Sequence, residues 1–166
     1  NLSLGSPSRS RLLQEVIKDT TANGVLVAAA AGNSNSSIAH YPAAGNGVAA
    51  SADGLVAVTS VNRYDQKSDF ANYGKWVDIA APGESIRSAF PVSQYAYWSG
   101  TSMATPFVSG QAALIHTVYG SLDPADVEER IRCSARPLLA TDPVYAATLG
   151  AGRADVGASL FPVACS

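Results

Sequence analysis

One short turn of this sequence has the residue types of a serine nucleophile. Gly100-Thr101-Ser102-Met103-Ala104-Thr105-Pro106 leads into an apolar run over residues 107–115, which is typical of a helix. Ser102 is therefore predicted at a helix N-terminus, where free N–H groups and the helix dipole favour a developing negative charge. Pro106 fits the first turn of that helix, and it has no N–H to offer the Ser102 carbonyl. An ordinary capping serine would give the same local pattern.

The elements that must hold this turn alternate between strands and helices. Runs of strand length occur at residues 1–5, 25–31, 55–61 and 76–80. Apolar residues at helical spacing lie between the first two runs, at residues 12–17. A strand, a helix and a strand within about thirty residues indicate the α/β class. We expect four buried strands in a parallel sheet with flanking helices, and Ser102 near the carboxyl ends of the strands.

The composition excludes several classes of function. Charged residues make up 14% of the 166 residues and the formal net charge is -2, so nothing indicates a surface for nucleic acid or for an anionic membrane. No apolar run reaches the ~20 residues of a membrane-spanning helix. The sequence contains neither a Gly-x-Ser-x-Gly motif nor the ligand spacing of a zinc site. The length suits one domain.

Four segments, in chain order, resemble motifs of the subtilisin-like serine proteases, the subtilases. They are Asn1-Leu2-Ser3-Leu4-Gly5, the Ala-Ala-Gly-Asn ending of residues 25–33, Ala81-Pro82-Gly83, and the turn from Gly100 to Pro106. The resemblance implies a subtilisin-like α/β fold with a parallel sheet. It also implies that residues 1–166 are the C-terminal portion of a peptidase domain, and therefore a partial domain.

The resemblance assigns roles to individual residues. Ser102 is the expected nucleophile, and its backbone N–H is one donor to the negative oxygen that forms during acyl transfer. The side-chain amide of Asn33 is the expected second donor, although asparagine after a strand is also a common turn residue. Further residues resemble those that contact the substrate: Ser3, Leu4, Gly5, Ala30, Ala31, Gly32, His40, Gly100 and Thr101.

His40 precedes Tyr41-Pro42, a pair that resembles a segment beside the family's primary specificity pocket. The resemblance makes His40 a residue of the pocket floor. It also makes the Tyr41-Pro42 bond a candidate cis peptide bond. A histidine in a surface loop is the alternative interpretation of His40.

Ser102 also needs a general base and a carboxylate that orients this base. The resemblance places this His and Asp upstream of Asn1, outside the chain. His116 does not replace them, because fourteen helical residues separate it from Ser102 by ~21 Å. We expect little or no peptidase activity from the chain alone. Its expected partner is the upstream half of the domain, or a second copy of itself in the absence of that half.

The expected function is peptide-bond hydrolysis by a serine endopeptidase through an acyl-enzyme, with polypeptides as substrates. A non-catalytic binding or structural module that keeps the subtilase-like fold is the alternative. No cofactor and no metal ligands are expected from the sequence itself. Many subtilases bind calcium, however, and the loop after Pro42 could offer backbone carbonyls to a structural calcium ion.

Cys133 and Cys165 are the two cysteines of the chain. A disulfide between them would close a loop of roughly thirty residues and stabilise the fold by somewhat over ~3 kcal/mol. Because most subtilases are secreted, the resemblance favours this disulfide and an extracellular location. Two unrelated thiols are the alternative.

Overall fold

The chain forms a parallel sheet packed on helices, with a separate hairpin. The computed structural model describes residues 1–45 and 52–162. The helices are α1 (Arg11–Ala22), α2 (Thr101–Tyr119), α3 (Pro124–Cys133) and α4 (Val156–Ser159), with a 3₁₀ turn at Ala146–Thr148. The strands are β1 (Val27–Ala30), β2 (Leu55–Val61), β3 (Ile79–Pro82), β4 (Ile86–Phe90) and β5 (Gln94–Trp98).

The strands β1, β2 and β3 form the parallel sheet in that order. Ala29 of β1 pairs with Ala57 of β2, and Val58 of β2 pairs with Ile79 of β3. All four residues of β1 are buried, as expected of a strand that is covered on both faces. The predicted α/β class with a parallel sheet is confirmed.

Two of the four predicted strands differ from the observed ones. The strand predicted at residues 1–5 is reduced to a single bridge between Leu2 and Ala29, because Leu4, the next residue that could pair with β1, is exposed and makes no backbone hydrogen bond within the described residues. The strand predicted at 76–80 begins later, at Ile79. Its first residues belong to a turn in which the Val77 N–H donates to the Gly74 carbonyl at 3.1 Å.

The core lies between the sheet and α2. Ala104, Val108, Ala112 and Ile115 of this helix pack in one cluster with Val56, Val58 and Ile79 of the sheet. Alanine side chains allow the helix backbone to approach the strands closely, and Ala104 has no exposed surface. This packing fixes the first turn of α2, which carries Ser102, at the carboxyl edge of the sheet.

The antiparallel pairing of β4 with β5 is a feature that the sequence patterns do not predict, although Tyr95, Tyr97 and Trp98 mark β5 as an extended segment. Ile86 pairs with Trp98 at its base, and Phe90 pairs with Gln94 near its tip. Most of its side chains are exposed, so no alternation of buried and exposed residues marks it in the sequence. The hairpin ends directly before the turn at Ser99, and it therefore brings aromatic side chains next to Ser102.

Glu128 is a buried carboxylate that ties α3 to the start of β2. Its Oε2 accepts hydrogen bonds from the N–H groups of Asp53 at 3.0 Å and of Gly54 at 2.9 Å. Burial raises the pKa of Glu128 to about 7. Burial also raises the pKa of Asp78, a second buried carboxylate, to about 6.

The free energy of unfolding is expected to fall as the pH rises from about 4 to about 7. A raised carboxyl pKa means that the folded state holds its proton more tightly than the unfolded state, so loss of the proton favours unfolding. The glutamine side chain of Glu128→Gln cannot ionise and keeps an oxygen acceptor. In this variant the decrease in the free energy of unfolding over the same pH range should be smaller by on the order of 3 kcal/mol. Urea unfolding of both proteins across this pH range measures the effect. The same slope in the variant would contradict the role of Glu128.

Cys133, the last residue of α3, is disulfide-bonded. Cys165, its predicted partner, lies outside the described residues, so the pairing itself stays a prediction. Within residues 1–45 and 52–162, no helix has both the length and the apolar character needed to cross a membrane.

Candidate active site

Ser102 is the second residue of α2 and faces a cleft of about 700 Å³. The cleft is lined by Ser3, Asn33, Tyr97, Trp98, Ser99, Gly100, Ser102 and Met103. Asn33 follows the carboxyl end of β1. The Gly100 N–H donates to the carbonyl of Gly83, which follows β3, at 2.8 Å. The cleft therefore lies at the carboxyl edge of the sheet, where Ser102 was expected.

Two N–H donors lie on the same side of Gly100 in this cleft. A Cβ atom placed on Gly100 would lie 3.3 Å from Asn33 Nδ2 and 3.7 Å from the backbone nitrogen of Ser102. Among the described residues, no group accepts a hydrogen bond from either donor. Since glycine has no side chain, the space beside both donors stays open to a ligand. Two such donors can stabilise one negatively charged oxygen.

Thr101 fixes the orientation of the Asn33 amide. Asn33 Oδ1 accepts hydrogen bonds from the Thr101 N–H at 2.9 Å and from the Thr101 hydroxyl at 3.0 Å. Because an acceptor is required on that side, the NH₂ group of Asn33 must point the other way, into the cleft. The hydroxyl of Thr101 also accepts a hydrogen bond from the Gly32 N–H at 3.0 Å. Thr101 has no exposed surface, so it holds the Asn33 side chain from the protein interior and does not line the cleft as a substrate-binding residue.

Thr101→Val is expected to lower the free energy of unfolding by about 1–3 kcal/mol. Valine has nearly the same shape as threonine but leaves the buried Gly32 N–H without an acceptor. Thr101→Ser is the control, because it keeps the hydroxyl and loses only one methyl group, a cost of about 1 kcal/mol. Chemical denaturation of the three proteins decides the point. A valine variant that is as stable as the parent would show that this hydrogen-bond network contributes nothing.

Ser3 and Ser102 exchange two hydrogen bonds. Ser102 Oγ donates to the Ser3 carbonyl at 3.2 Å, and Ser3 Oγ donates to the Ser102 carbonyl at 2.8 Å. The second bond forms because Pro106 has no N–H to offer that carbonyl. Pro106 lies inside α2, one turn later than the first turn in which it was predicted. The Ser3 hydroxyl thus replaces the missing helical donor and holds the N-terminal segment against α2.

No general base lines the cleft in the part of the chain that the structure describes. None of its lining residues is a histidine, an aspartate or a glutamate. His116 lies in the last turn of α2, where its Nδ1 is 3.2 Å from the Gly120 carbonyl. His40 lies beside the cleft but does not line it. Within residues 1–45 and 52–162, the lining of the cleft thus offers Ser102 no side chain that could take its proton.

The predicted substrate-binding residues form two neighbouring segments beside the cleft. In the N-terminal segment, Ser3 lines the cleft and Leu4 is exposed. In the segment at the end of β1, Ala30, Ala31 and Gly32 are buried. The imidazole of His40 lies between the two segments. A Cβ on Gly5 would be 2.5 Å from His40 Cδ2, and a Cβ on Gly32 would be 2.9 Å from the same atom.

His40 is accordingly half-buried, and burial lowers its pKa. The bond between Tyr41 and Pro42 is cis, as predicted.

Tyr97, Trp98, Ser99 and Met103 line the cleft without having been predicted as site residues. The sequence feature that could have indicated these cleft residues is the aromatic pair Tyr97-Trp98 directly before the nucleophile turn. Both side chains are more than half exposed, and large exposed aromatic residues beside a cleft often contact a ligand.

No metal site is visible among the described residues, since no three His, Cys, Asp or Glu side chains are placed to share an ion. Residues 46–51 of the loop after Pro42, where calcium was considered, lie outside the described residues. A structural calcium ion there stays a prediction.

Comparison with known proteins points to one family. A model of the subtilase family matches residues 1–152. Subtilisin BL of Lederbergia lenta is 40% identical over 142 residues, which are 86% of this chain and 50% of that protein. A protease structure from Pseudoalteromonas arctica matches with a TM-score of 0.85 and 31% identity, over 96% of this chain and 49% of that chain.

The structure of a cold-adapted subtilisin-like serine proteinase matches with a TM-score of 0.76 and 33% identity, over 93% of this chain and 52% of that chain. The predicted subtilisin-like fold is confirmed by both structures. The chain spans about half the length of each of these relatives.

Proposed function

Because the chain belongs to the subtilase family, we propose that it carries the nucleophile and the oxyanion donors of a serine endopeptidase. The observation that supports this most strongly is that Asn33 Nδ2 and the Ser102 nitrogen lie together, 3.3 and 3.7 Å from the Cβ position that Gly100 leaves empty, and that neither has an acceptor among the described residues. A capping serine and a turn asparagine have no need for such an arrangement. Acyl transfer needs it, because the carbonyl oxygen of the scissile bond becomes negative.

The proposed reaction follows from this geometry. Ser102 Oγ attacks the carbonyl carbon of the peptide bond and loses its proton to a base. The carbonyl oxygen becomes negative and accepts hydrogen bonds from Asn33 and from the Ser102 N–H. The base then returns the proton to the leaving amine, and the acyl group stays on Ser102 as an ester. Water gives a proton to the base and attacks this ester, the bond between the acyl carbon and Ser102 Oγ breaks, and the base returns the proton to Ser102 Oγ as the acid product leaves.

The base and the carboxylate that orients it are proposed to come from a segment outside this chain. The cleft supplies neither within the described residues. This segment would bring a histidine within hydrogen-bond reach of Ser102 Oγ, which now donates to the Ser3 carbonyl. The substrate class is polypeptide, and neither nucleic acid nor membrane is proposed as a partner.

An apolar face on α2 gives this segment a place to pack. Phe107, Leu114 and Val118 are between 43% and 53% exposed, and their spacing of seven and four residues puts them on one side of the helix. Exposed apolar side chains of this size favour association. We propose that the segment with the base covers this face, and that the chain associates with itself where the segment is missing.

An extracellular location is proposed as well. Cys133 is disulfide-bonded, and disulfides persist in oxidising compartments.

The second candidate is a non-catalytic module, and the cleft without a base favours it. Joining the chain to a segment that supplies the missing His and Asp separates the two functions. The endopeptidase is expected to cut an unfolded protein at internal peptide bonds, which mass spectrometry detects as new termini. A joined protein that binds the unfolded protein and leaves it intact would support the non-catalytic module instead.

A further inference from the structure

One asparagine of the loop between β2 and β3, Asn72, holds the chain on the β1 side of Asn33. Its Nδ2 donates to the Ala31 carbonyl at 2.8 Å, and its backbone N–H donates to the Gly32 carbonyl at 2.9 Å. Asn72 is only 2% exposed, so water competes little for these hydrogen bonds. The two residues that lead into Asn33 are therefore bound to a single buried residue.

The same side chain holds the chain on the far side of Asn33. Asn72 Oδ1 accepts hydrogen bonds from the Ser34 N–H at 2.9 Å and from the Ser36 N–H at 3.1 Å. Because Oδ1 has two donors and Nδ2 has the Ala31 carbonyl, these partners settle the orientation of the Asn72 amide. One planar amide group thus spans the segment that carries Asn33.

The backbone of Asn33 depends on this support. Over the described ranges of the chain, neither the N–H nor the carbonyl of Asn33 makes a hydrogen bond of its own. Thr101 binds the Asn33 side chain at Oδ1 and so sets the direction of its amide. The position of the backbone from which that amide extends is set by the neighbouring residues, and these are the residues that Asn72 binds.

We propose that Asn72 is a positioning residue for the oxyanion donor: it fixes the backbone on both sides of Asn33 and so keeps the Asn33 amide beside the Ser102 N–H. The inference rests on the proposed function, because it assumes that Asn33 acts on the scissile carbonyl oxygen. Asn72 does not line the cleft, so it acts through Asn33 and not on the substrate. Support of this kind matters, since a displacement of about 1 Å in a reacting group can cost about 10²-fold in rate.

Asn72→Asp in the joined protein tests this proposal. Aspartate keeps an acceptor for the Ser34 and Ser36 N–H groups but cannot donate to the Ala31 carbonyl, and it sets a carboxylate oxygen against that carbonyl. The segment with Asn33 should therefore shift, and kcat is expected to fall by about 10–10²-fold. Initial rates on a chromogenic peptide at saturating concentration measure kcat.

Asn62→Asp is the matched control, because it makes the same change in another loop asparagine. Asn62 Oδ1 also accepts two backbone hydrogen bonds, from the Tyr64 N–H at 2.8 Å and from the Gln66 N–H at 3.1 Å. None of these three residues lines the cleft, so the control should keep the kcat of the parent.

A double variant separates positioning from a general structural role. In the Asn33→Ala background, Asn72→Asp should lower kcat by less than about twofold, because the group that it positions is gone. A purely structural role would lower kcat by the same factor in both backgrounds, and equal factors would overturn the proposal. A folded Asn72→Asp variant with the parent kcat would overturn it as well. So would loss of the fold in circular dichroism, since Asn72 would then hold the whole protein and not Asn33.

A nitrogen–proton correlation NMR spectrum of the 166-residue chain keeps this test independent of cleavage. The side-chain amide of Asn33 gives one pair of signals, which is assigned by its absence from Asn33→Ala. Asn72→Asp is expected to shift this pair by more than a linewidth, and Asn62→Asp should leave it in place. An unshifted pair in Asn72→Asp would overturn the proposal. A shifted pair, with a joined protein that cleaves nothing, would instead overturn the endopeptidase and keep Asn72 as the residue that positions Asn33.

Discussion

The 166-residue chain alone is expected to hydrolyse peptides ~10⁴–10⁶-fold more slowly than the same chain joined to a segment with the missing His and Asp. That range is carried over from subtilisin, a member of this family, in which single members of the triad were removed. The physical reason is that, in the described part of the chain, Ser102 Oγ has no acceptor for its proton except the Ser3 carbonyl, which cannot act as a base. Steady-state rates on one chromogenic peptide measure the ratio.

The control for this comparison is the joined protein with the supplied His replaced by Ala. It keeps the covered surface of α2 but lacks the base, so it should be as slow as the isolated chain. Turnover by the isolated chain at the rate of the joined protein would contradict the account, provided that Ser102→Ala abolishes this turnover. The chain would then contain a base that the described cleft does not show.

Asn33→Ala is expected to lower kcat of the joined protein by ~10²–10³ and to leave KM nearly unchanged. This magnitude too comes from subtilisin, where such a donor was removed. The donor acts mainly on the oxygen that becomes negative in the transition state, so its loss affects the chemical step more than substrate binding. Initial rates over a range of peptide concentrations separate kcat from KM.

Ser34→Ala is the matched control on the same loop, since its N–H still donates to Asn72 Oδ1 at 2.9 Å. Its kcat should stay close to that of the parent. Asn33 Oδ1 also holds Thr101, so circular dichroism of the Asn33 variant must show an intact fold. A folded Asn33→Ala variant with the parent kcat would remove Asn33 from the oxyanion site.

Much of the fold could be predicted because its signals are local. The apolar run that ends in Ala31 marks a strand buried on both faces, and the serine turn before a helix marks the position of Ser102. The two donors follow from a resemblance in which Asn33 and Ser102 belong to separate motifs. The predicted cis bond before Pro42 comes from the same resemblance.

The rest depends on contacts between distant parts of the chain. The sequence shows no sign that the Thr101 hydroxyl lies between the Gly32 N–H and Asn33 Oδ1, almost seventy residues away. The ring of His40 contacts Gly5 only after the N-terminal segment and the loop that carries His40 have come together in the fold. The pairing of β4 with β5 could not be predicted for another reason. Most side chains of both strands are exposed, so no alternation of buried and exposed residues marks the pair, and only the aromatic residues of β5 indicate an extended segment.

The most direct test of the central claim is to locate the residue that an active-site-directed fluorophosphonate modifies in the joined protein. The account predicts one adduct, on Ser102, because its hydroxyl lines the cleft beside Asn33 and belongs to the residue whose own N–H is the other proposed oxyanion donor. Peptide mapping by mass spectrometry identifies the residue, and the neighbouring Ser99→Ala variant should be labelled like the parent. Ser102→Ala should take up no label. A label on another serine, or equal labelling of Ser102→Ala, would contradict the assignment of Ser102 as the nucleophile.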